Sequence, residues 1–291
     1  IASGVTLLIL FPTYIKASYK FDLGVWKQMM KYAGPILVAG IAFTINEVLD
    51  KILLTELLPS KIAESEVGKY GACYKLALFM TLFGTAFRMG VEPFFFSHAK
   101  SEKPQKTYAQ ITNYFVILGS IILLGVIAFI DVLGRLLLHN PVYWEALDVV
   151  PIILLASFCL GIYHNLSVWY KVTDRTKFGA YISSVGAIIT LVINISLIPK
   201  IGYMASALAT LAAYGSMMLL SYHFGKKYYP VPYNMRKIVF YLCVSLVFSI
   251  LSFYVFNRNL IAGSLLFLLF LGLVYKLEGD KLRSIFLRRE D

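Results

Sequence analysis

The chain has 291 residues, of which 59% are hydrophobic and 15% charged, and carries a formal net charge of +11. A soluble domain is about a quarter charged, so this composition, with a mean hydropathy of +0.73, excludes one and indicates a polytopic membrane protein. The basic excess is spread over several short segments between apolar runs, which excludes a focused nucleic-acid surface and matches the loops of a membrane protein.

A helical crossing needs about 20 apolar residues. The opening run 1–15 is apolar but short, and is expected to be the end of a truncated transmembrane helix, so that the chain reads as the C-terminal portion of a longer protein. Segment 16–31 reads as a cytoplasmic linker. Full spans are then expected at 33–57, 70–97, 112–133, 148–170, 178–198, 203–224, 237–256 and 260–276. The expected fold is therefore all-α, a polytopic transmembrane helix bundle of about eight full spans plus one partial N-terminal span. Residues 32–224 are expected to form its main bundle, and 225–291 two peripheral helices and a cytoplasmic tail.

Loop charge sets the expected orientation. Nineteen of the 27 Lys and Arg residues fall in 16–31, 98–111, 171–177, 225–237 and 276–291. Five (Lys61, Lys69, Arg135, Lys200 and Arg258) fall in the alternate segments, and three, Lys51, Lys75 and Arg88, lie inside spans. The positive-inside rule places the first group, and the C-terminus, in the cytoplasm.

The first full span carries Asn46, Glu47, Asp50 and Lys51 near its middle. On a helix these lie within about 140° of one another, and charges at that depth cost a few kcal/mol each unless paired or wetted. The helix is therefore expected to line something polar. In the second span Thr81, Gly84, Thr85, Arg88 and Glu92 share a face, with Pro93 placed to kink or end the helix. Glu47–Lys51 and Arg88–Glu92 are i,i+4 pairs. They either serve a transport path or merely neutralise each other. Lys75, on another face, either pairs with Asp50 or Glu47 or snorkels to the headgroups.

The third span, 112–133, is uniformly apolar and reads as lipid-facing or scaffold. The fourth places Ser157, Gly161, His164 and Asn165 on one face, where a lone His is most simply a packing residue. The fifth carries the stripe Gly179, Ser183, Gly186, Thr190 and Asn194, a spacing that lets helices approach closely. Asn194 is positioned to bond a neighbouring helix or an irregular turn near Pro199. The sixth is Ala- and Ser-rich, and the last two have almost nothing polar.

No GxxxxGK[ST] phosphate loop and no HExxH motif is present. His98, His139, His164 and His223 fall on separate segments, and Cys73, Cys159 and Cys243 lie in apolar runs without a CxxC partner, as buried hydrophobes. No metal site, no cofactor and no enzymatic activity is indicated. The outer loops are too short to form the platform a membrane glycosyltransferase or ligase needs.

Three stretches resemble one family. Lys31, Tyr32 and Pro35 precede the embedded Asp50 and Lys51; Val67, Gly68, Tyr70, Tyr74, Lys75 and Leu76 lead on to Pro93; and Thr173, Thr176 and Lys177 lead to Asn194, Leu197, Ile198, Pro199 and Gly202. From about residue 23 onward the chain resembles bacterial polysaccharide flippases, exporters of lipid-linked oligosaccharide (O-antigen) in the multidrug/oligosaccharidyl-lipid/polysaccharide exporter superfamily. It departs mildly at Met204–Ala207, where the family typically reads Gly-Ala-Ala.

The resemblance implies a transporter bundle in the inner (cytoplasmic) cell membrane. It would work by alternating access on a polyprenyl-pyrophosphate-linked oligosaccharide, for polysaccharide or lipopolysaccharide biosynthesis. Its partners would be membrane lipids and the glycan polymerase and glycosyltransferases of the same pathway, with no nucleic acid. Arg88, Lys51, Asn46 and Lys75 are the expected substrate-cavity residues, and Glu47, Asp50 and Glu92 the ion-coupling or charge-balancing ones. A cation-coupled multidrug exporter of the same superfamily is the alternative, and a membrane glycan polymerase or ligase a more distant one.

Overall fold

The computed structural model describes residues 2–16, 20–98, 104–138 and 140–287. His139 and the loop and tail charges Lys100, Lys103, Arg288 and Arg289 lie outside the described residues. The helices are α1 (Ala2–Lys16), α2 (Leu23–Leu57), α3 (Ser60–His98), α4 (Pro104–Ala128), α5 (Ile130–Leu137), α6 (Val150–Leu166), α7 (Val168–Val172), α8 (Lys177–Ile201), α9 (Tyr203–Tyr228), α10 (Met235–Ile250) and α11 (Leu260–Leu287). No strand occurs among the described residues, so the molecule is an all-α bundle. Among the described residues, six helical stretches are long and apolar enough to cross a membrane. Together with α2 and α3, 35 and 39 residues long, they make eight helices of spanning length, as the hydropathy pattern predicts.

The helix ends differ from the apolar boundaries because capping, not hydropathy, starts a helix. Asp22 accepts hydrogen bonds from the backbone N–H groups of Gly24 and Val25 at 2.7 and 3.1 Å, so α2 begins ten residues before the expected span and absorbs much of the expected linker. Pro93 does not end α3, which continues to His98. The fourth expected span starts from a 3-10 turn, Pro141–Val149, capped by the Asn140 side chain, and breaks after Leu166 into α6 and α7.

The core runs through α3, α4 and α6, with Tyr70, Leu76, Met80, Phe115, Leu123, Leu124, Leu154 and Phe158 fully buried. α2 packs on α8, α8 on α9, α9 on α6 and α6 on α3, while α10 and α11 lie against α4. α4 is thus a scaffold helix and not lipid-facing: the two last helices take the outer position, with Ile261 of α11 73% exposed. Cys73 and Cys159 are buried, but Cys243, expected inside, is on the exterior of α10.

Two glycines set the α4–α6 distance. A Cβ at Gly119 would collide with the Phe158 ring, and one at Gly161 with the Phe115 ring. Each helix therefore seats its phenylalanine in the other's glycine notch. The α8–α9 turn is a single residue, Gly202 at φ +56°, where a side chain would also meet the Glu66 carboxylate.

Candidate functional site

The small-residue faces of α3 and α6 meet. The position of a Cβ on Gly84 lies 3.9 Å from the Gly161 Cα, and the Thr81 and Ser157 hydroxyls are 3.5 Å apart. With α2 in front, this close approach without bulky side chains leaves a cavity of about 180 Å³ lined by Glu47, Thr81, Gly84, Arg88, Ser157, Gly161 and His164, among others. Arg88 and His164 also border a second, much smaller space of about 10 Å³ with Glu92, Asn165 and Lys171. The two faces read from the sequence therefore meet between α3 and α6, where they line two neighbouring spaces that share Arg88 and His164.

The embedded charges are not held in the i,i+4 pairs that their spacing suggests. Glu47 accepts a hydrogen bond from the Tyr214 hydroxyl of α9 at 2.7 Å, not from Lys51. Glu92 is ion-paired with Lys171, at the end of α7, and not with Arg88. Both partners come from other helices, which packing brings closer than one turn of the same helix does.

Asp50, 2% exposed, accepts from the Tyr70 hydroxyl at 2.7 Å and from the Lys51 backbone N–H at 2.7 Å. Charge-assisted bonds of this length are the strong class, and they explain how a carboxylate is tolerated here. Asn46, also buried, accepts from the Thr190 hydroxyl of α8, and its Nδ2 has no partner among the described residues. The polar face of α2 is thus absorbed by α3, α8 and α9. Of its four polar residues, Glu47 is the one that reaches the cavity.

Of the three embedded cations, Lys51 rests over the Tyr74 ring, 5.1 Å from its centroid, and Lys75 is exposed and bonded neither to Asp50 nor to Glu47, whose partners are tyrosines. Arg88 has no hydrogen-bond or ion-pair partner among the described residues. A half-buried guanidinium that no carboxylate among the described residues pairs, facing a cavity, is equipped to receive an anion with paired N–H donors.

The stripe on α8 packs as close-approach residues do. Gly179, Ser183, Gly186, Thr190 and Asn194 are all buried. Gly186 gives room to Met217 of α9 and Gly179 to Tyr170. Asn194 donates to the Thr190 carbonyl and accepts from the Ser206 hydroxyl of α9 at 2.9 Å, while the chain around Pro199 stays helical to Ile201.

Sequence reasoning missed Tyr70, Tyr214 and Lys171. Tyr214 is the one aromatic in the middle of the Ala-rich α9, between Tyr203 at its start and Tyr222, Phe224 and Tyr228 in its last turns, and Lys171 reads as one more loop charge.

A model of the MatE family matches residues 35–196. No curated protein matches the chain. Among solved structures, it is similar to the lipid II flippase MurJ in an inward closed conformation, at 15% identity and a TM-score of 0.68 over 94% of this chain and 59% of the flippase. It is also similar to a MOP-superfamily transporter from Pyrococcus furiosus, described by a binding pocket of reversed polarity, at 18% identity and a TM-score of 0.51 over 80% of this chain and 55% of that one. A multidrug-resistance MATE transporter in an outward-facing conformation matches at 17% identity and a TM-score of 0.51, over 80% of this chain and 56% of that one. The chain therefore spans 59% or less of the length of these structures. With the family model covering more than half of the residues and the bundle shared with these solved structures, the chain belongs to the MatE family and has the multi-pass membrane fold of MOP-superfamily transporters.

Proposed function

We propose that this bundle forms one wall of the transport cavity of a flippase that carries polyprenyl-pyrophosphate-linked oligosaccharide across the cytoplasmic membrane by alternating access, for cell-surface polysaccharide synthesis. The protein is a transporter in this reading and not an enzyme. Its Lys- and Arg-rich loops and its C-terminus face the cytoplasm, and the polymerase and glycosyltransferases of the same pathway act before and after it. The observation that carries the proposal is Arg88, a guanidinium in no ion pair among the described residues, beside a cavity lined largely by small and polar side chains. A pyrophosphate headgroup supplies the missing negative charge, and its oxygens match the guanidinium fork. Glu47 and Asp50, each held by a tyrosine hydroxyl, are the ion-coupling or charge-balancing groups.

The test is export of surface glycan from cells carrying Arg88→Ala. The expected outcome is loss of export with normal amounts of protein in the membrane; normal surface polysaccharide would overturn the role of Arg88.

A second reading, a cation-coupled exporter of cationic drugs, is favoured by Glu47 and Phe43 lining the same cavity. It predicts that deletion of the protein sensitises cells to cationic drugs, whereas the flippase reading predicts unchanged drug susceptibility and lost glycan.

A further inference from the structure

The smaller space beyond Arg88 holds an unusual grouping. Arg88, Lys171 and His164 all border it, and Glu92 is the one carboxylate among its lining residues. Glu92 is committed to Lys171. Arg88, one helical turn before Glu92 and on the same face, has no ion-pair partner among the described residues. At about 10 Å³ the space holds at most a single water while the ion pair is made. It shares Arg88 and His164 with the 180 Å³ cavity, so Arg88 borders both spaces and Lys171 borders the one directly beyond it.

The pair is built to open. Its side chains are 33% exposed at Glu92 and 25% at Lys171, so water screens it and its net contribution is small. It is the ion pair between α3 and α7, a five-residue helix set off from α6 by a break at Ser167; the two helices are also packed through Val91, Phe95, Val168 and Val172, so the pair can part while the helices stay together. Glu92 and Lys171 belong to different helices, so separating them needs no unwinding of either.

We infer that Glu92 is an internal stand-in for the cargo's anion: in the empty site its carboxylate neutralises Lys171, and an entering phosphate-bearing headgroup displaces it and takes Lys171 together with Arg88. This rests on the flippase reading and adds to it a second cargo cation, Lys171, and a built-in competitor that occupies Lys171 in the empty site. The exchange is between anions on a fixed pair of cations and moves no covalent bond. It makes Lys171 a binding residue for the cargo and Glu92 a residue that sets its affinity.

The experiment is a titration of inorganic pyrophosphate into the purified full-length protein in nanodiscs, followed by tryptophan fluorescence, with Trp169 two residues from Lys171. The proteins compared are wild type, Glu92→Gln, Lys171→Gln, the double variant and Arg88→Gln. Removing a competitor from a pair this exposed is expected to tighten binding about fivefold in Glu92→Gln. Lys171→Gln is expected to weaken binding, and the double variant to bind as Lys171→Gln does, because the competitor then has nothing to release. Glu92→Asp, with the charge kept on a shorter arm, gives an intermediate affinity and serves as the second variant should Glu92→Gln fail to insert.

If Arg88→Gln loses binding while Glu92→Gln and Glu92→Asp bind like wild type, the exchange is overturned and the pyrophosphate role of Arg88 stands. If wild type and Arg88→Gln bind pyrophosphate equally, the cargo reading itself fails and the exchange falls with it. Tighter binding in Glu92→Gln that persists undiminished without Lys171 would also overturn the exchange.

Discussion

At the scale of single residues, the protein keeps charges in the membrane by giving carboxylates to tyrosine hydroxyls. Glu47 depends on Tyr214 and Asp50 on Tyr70. Removing either hydroxyl leaves a buried acceptor unsatisfied, at a cost of about 1–3 kcal/mol. Tyr70→Phe and Tyr214→Phe are therefore expected to lower the midpoint of thermal unfolding in detergent, and Tyr70→Phe more so, because Asp50 is the more deeply buried carboxylate. Unchanged melting in both would show that the two bonds carry little. Lys75 offers the contrast: it is exposed and holds neither acid, so Lys75→Ala is expected to export glycan at close to the wild-type level when surface polysaccharide is quantified.

That polar residues share one face of α2 was readable from the 3.6-residue period. Their partners were not, because Tyr214 lies 167 positions from Glu47 and Thr190 lies 144 from Asn46. Local spacing instead favoured the i,i+4 pairs, which packing replaced. A helical period states which residues share a face but not which helix that face meets.

At the scale of elements, glycine decides where helices touch. The reciprocal notches at Gly119 and Gly161 let α4 and α6 interlock through Phe158 and Phe115. Gly119→Ala and Gly161→Ala overpack this contact and are each expected to cost about 1–3 kcal/mol. Combining Gly119→Ala with Phe158→Leu is expected to restore part of the loss, measured by thermal unfolding; no recovery would mean that the ring is not what the new methyl meets. The existence of the spans was legible from apolar length, whereas their starts were not. α2 begins at a cap, Asp22, that hydropathy does not register. The burial of α4 was hidden for a related reason: an apolar helix facing lipid and one covered by α10 and α11 have the same composition.

At the scale of the whole molecule, α2, α3 and α6 border the Arg88 cavity, and α10 and α11 shield α4 on the far side. The loop charges predict that the turn after α9 and the turn before the 3-10 segment lie on opposite sides of the membrane. Cysteines placed singly at Val231 and Asn140, in a chain whose Cys73, Cys159 and Cys243 are replaced, are expected to be labelled from the cytoplasmic and the outer side respectively. Labelling of both from one side would overturn the orientation.

The central claim is that this cavity serves an anionic lipid headgroup through Arg88. The most direct measurement is translocation of polyprenyl-pyrophosphate-linked oligosaccharide in proteoliposomes containing the full-length protein, wild type against Arg88→Ala. The account predicts translocation by the wild type and its loss in Arg88→Ala, with Arg88→Lys between them, since lysine keeps the charge but not the fork. Equal translocation by wild type and Arg88→Ala would contradict it.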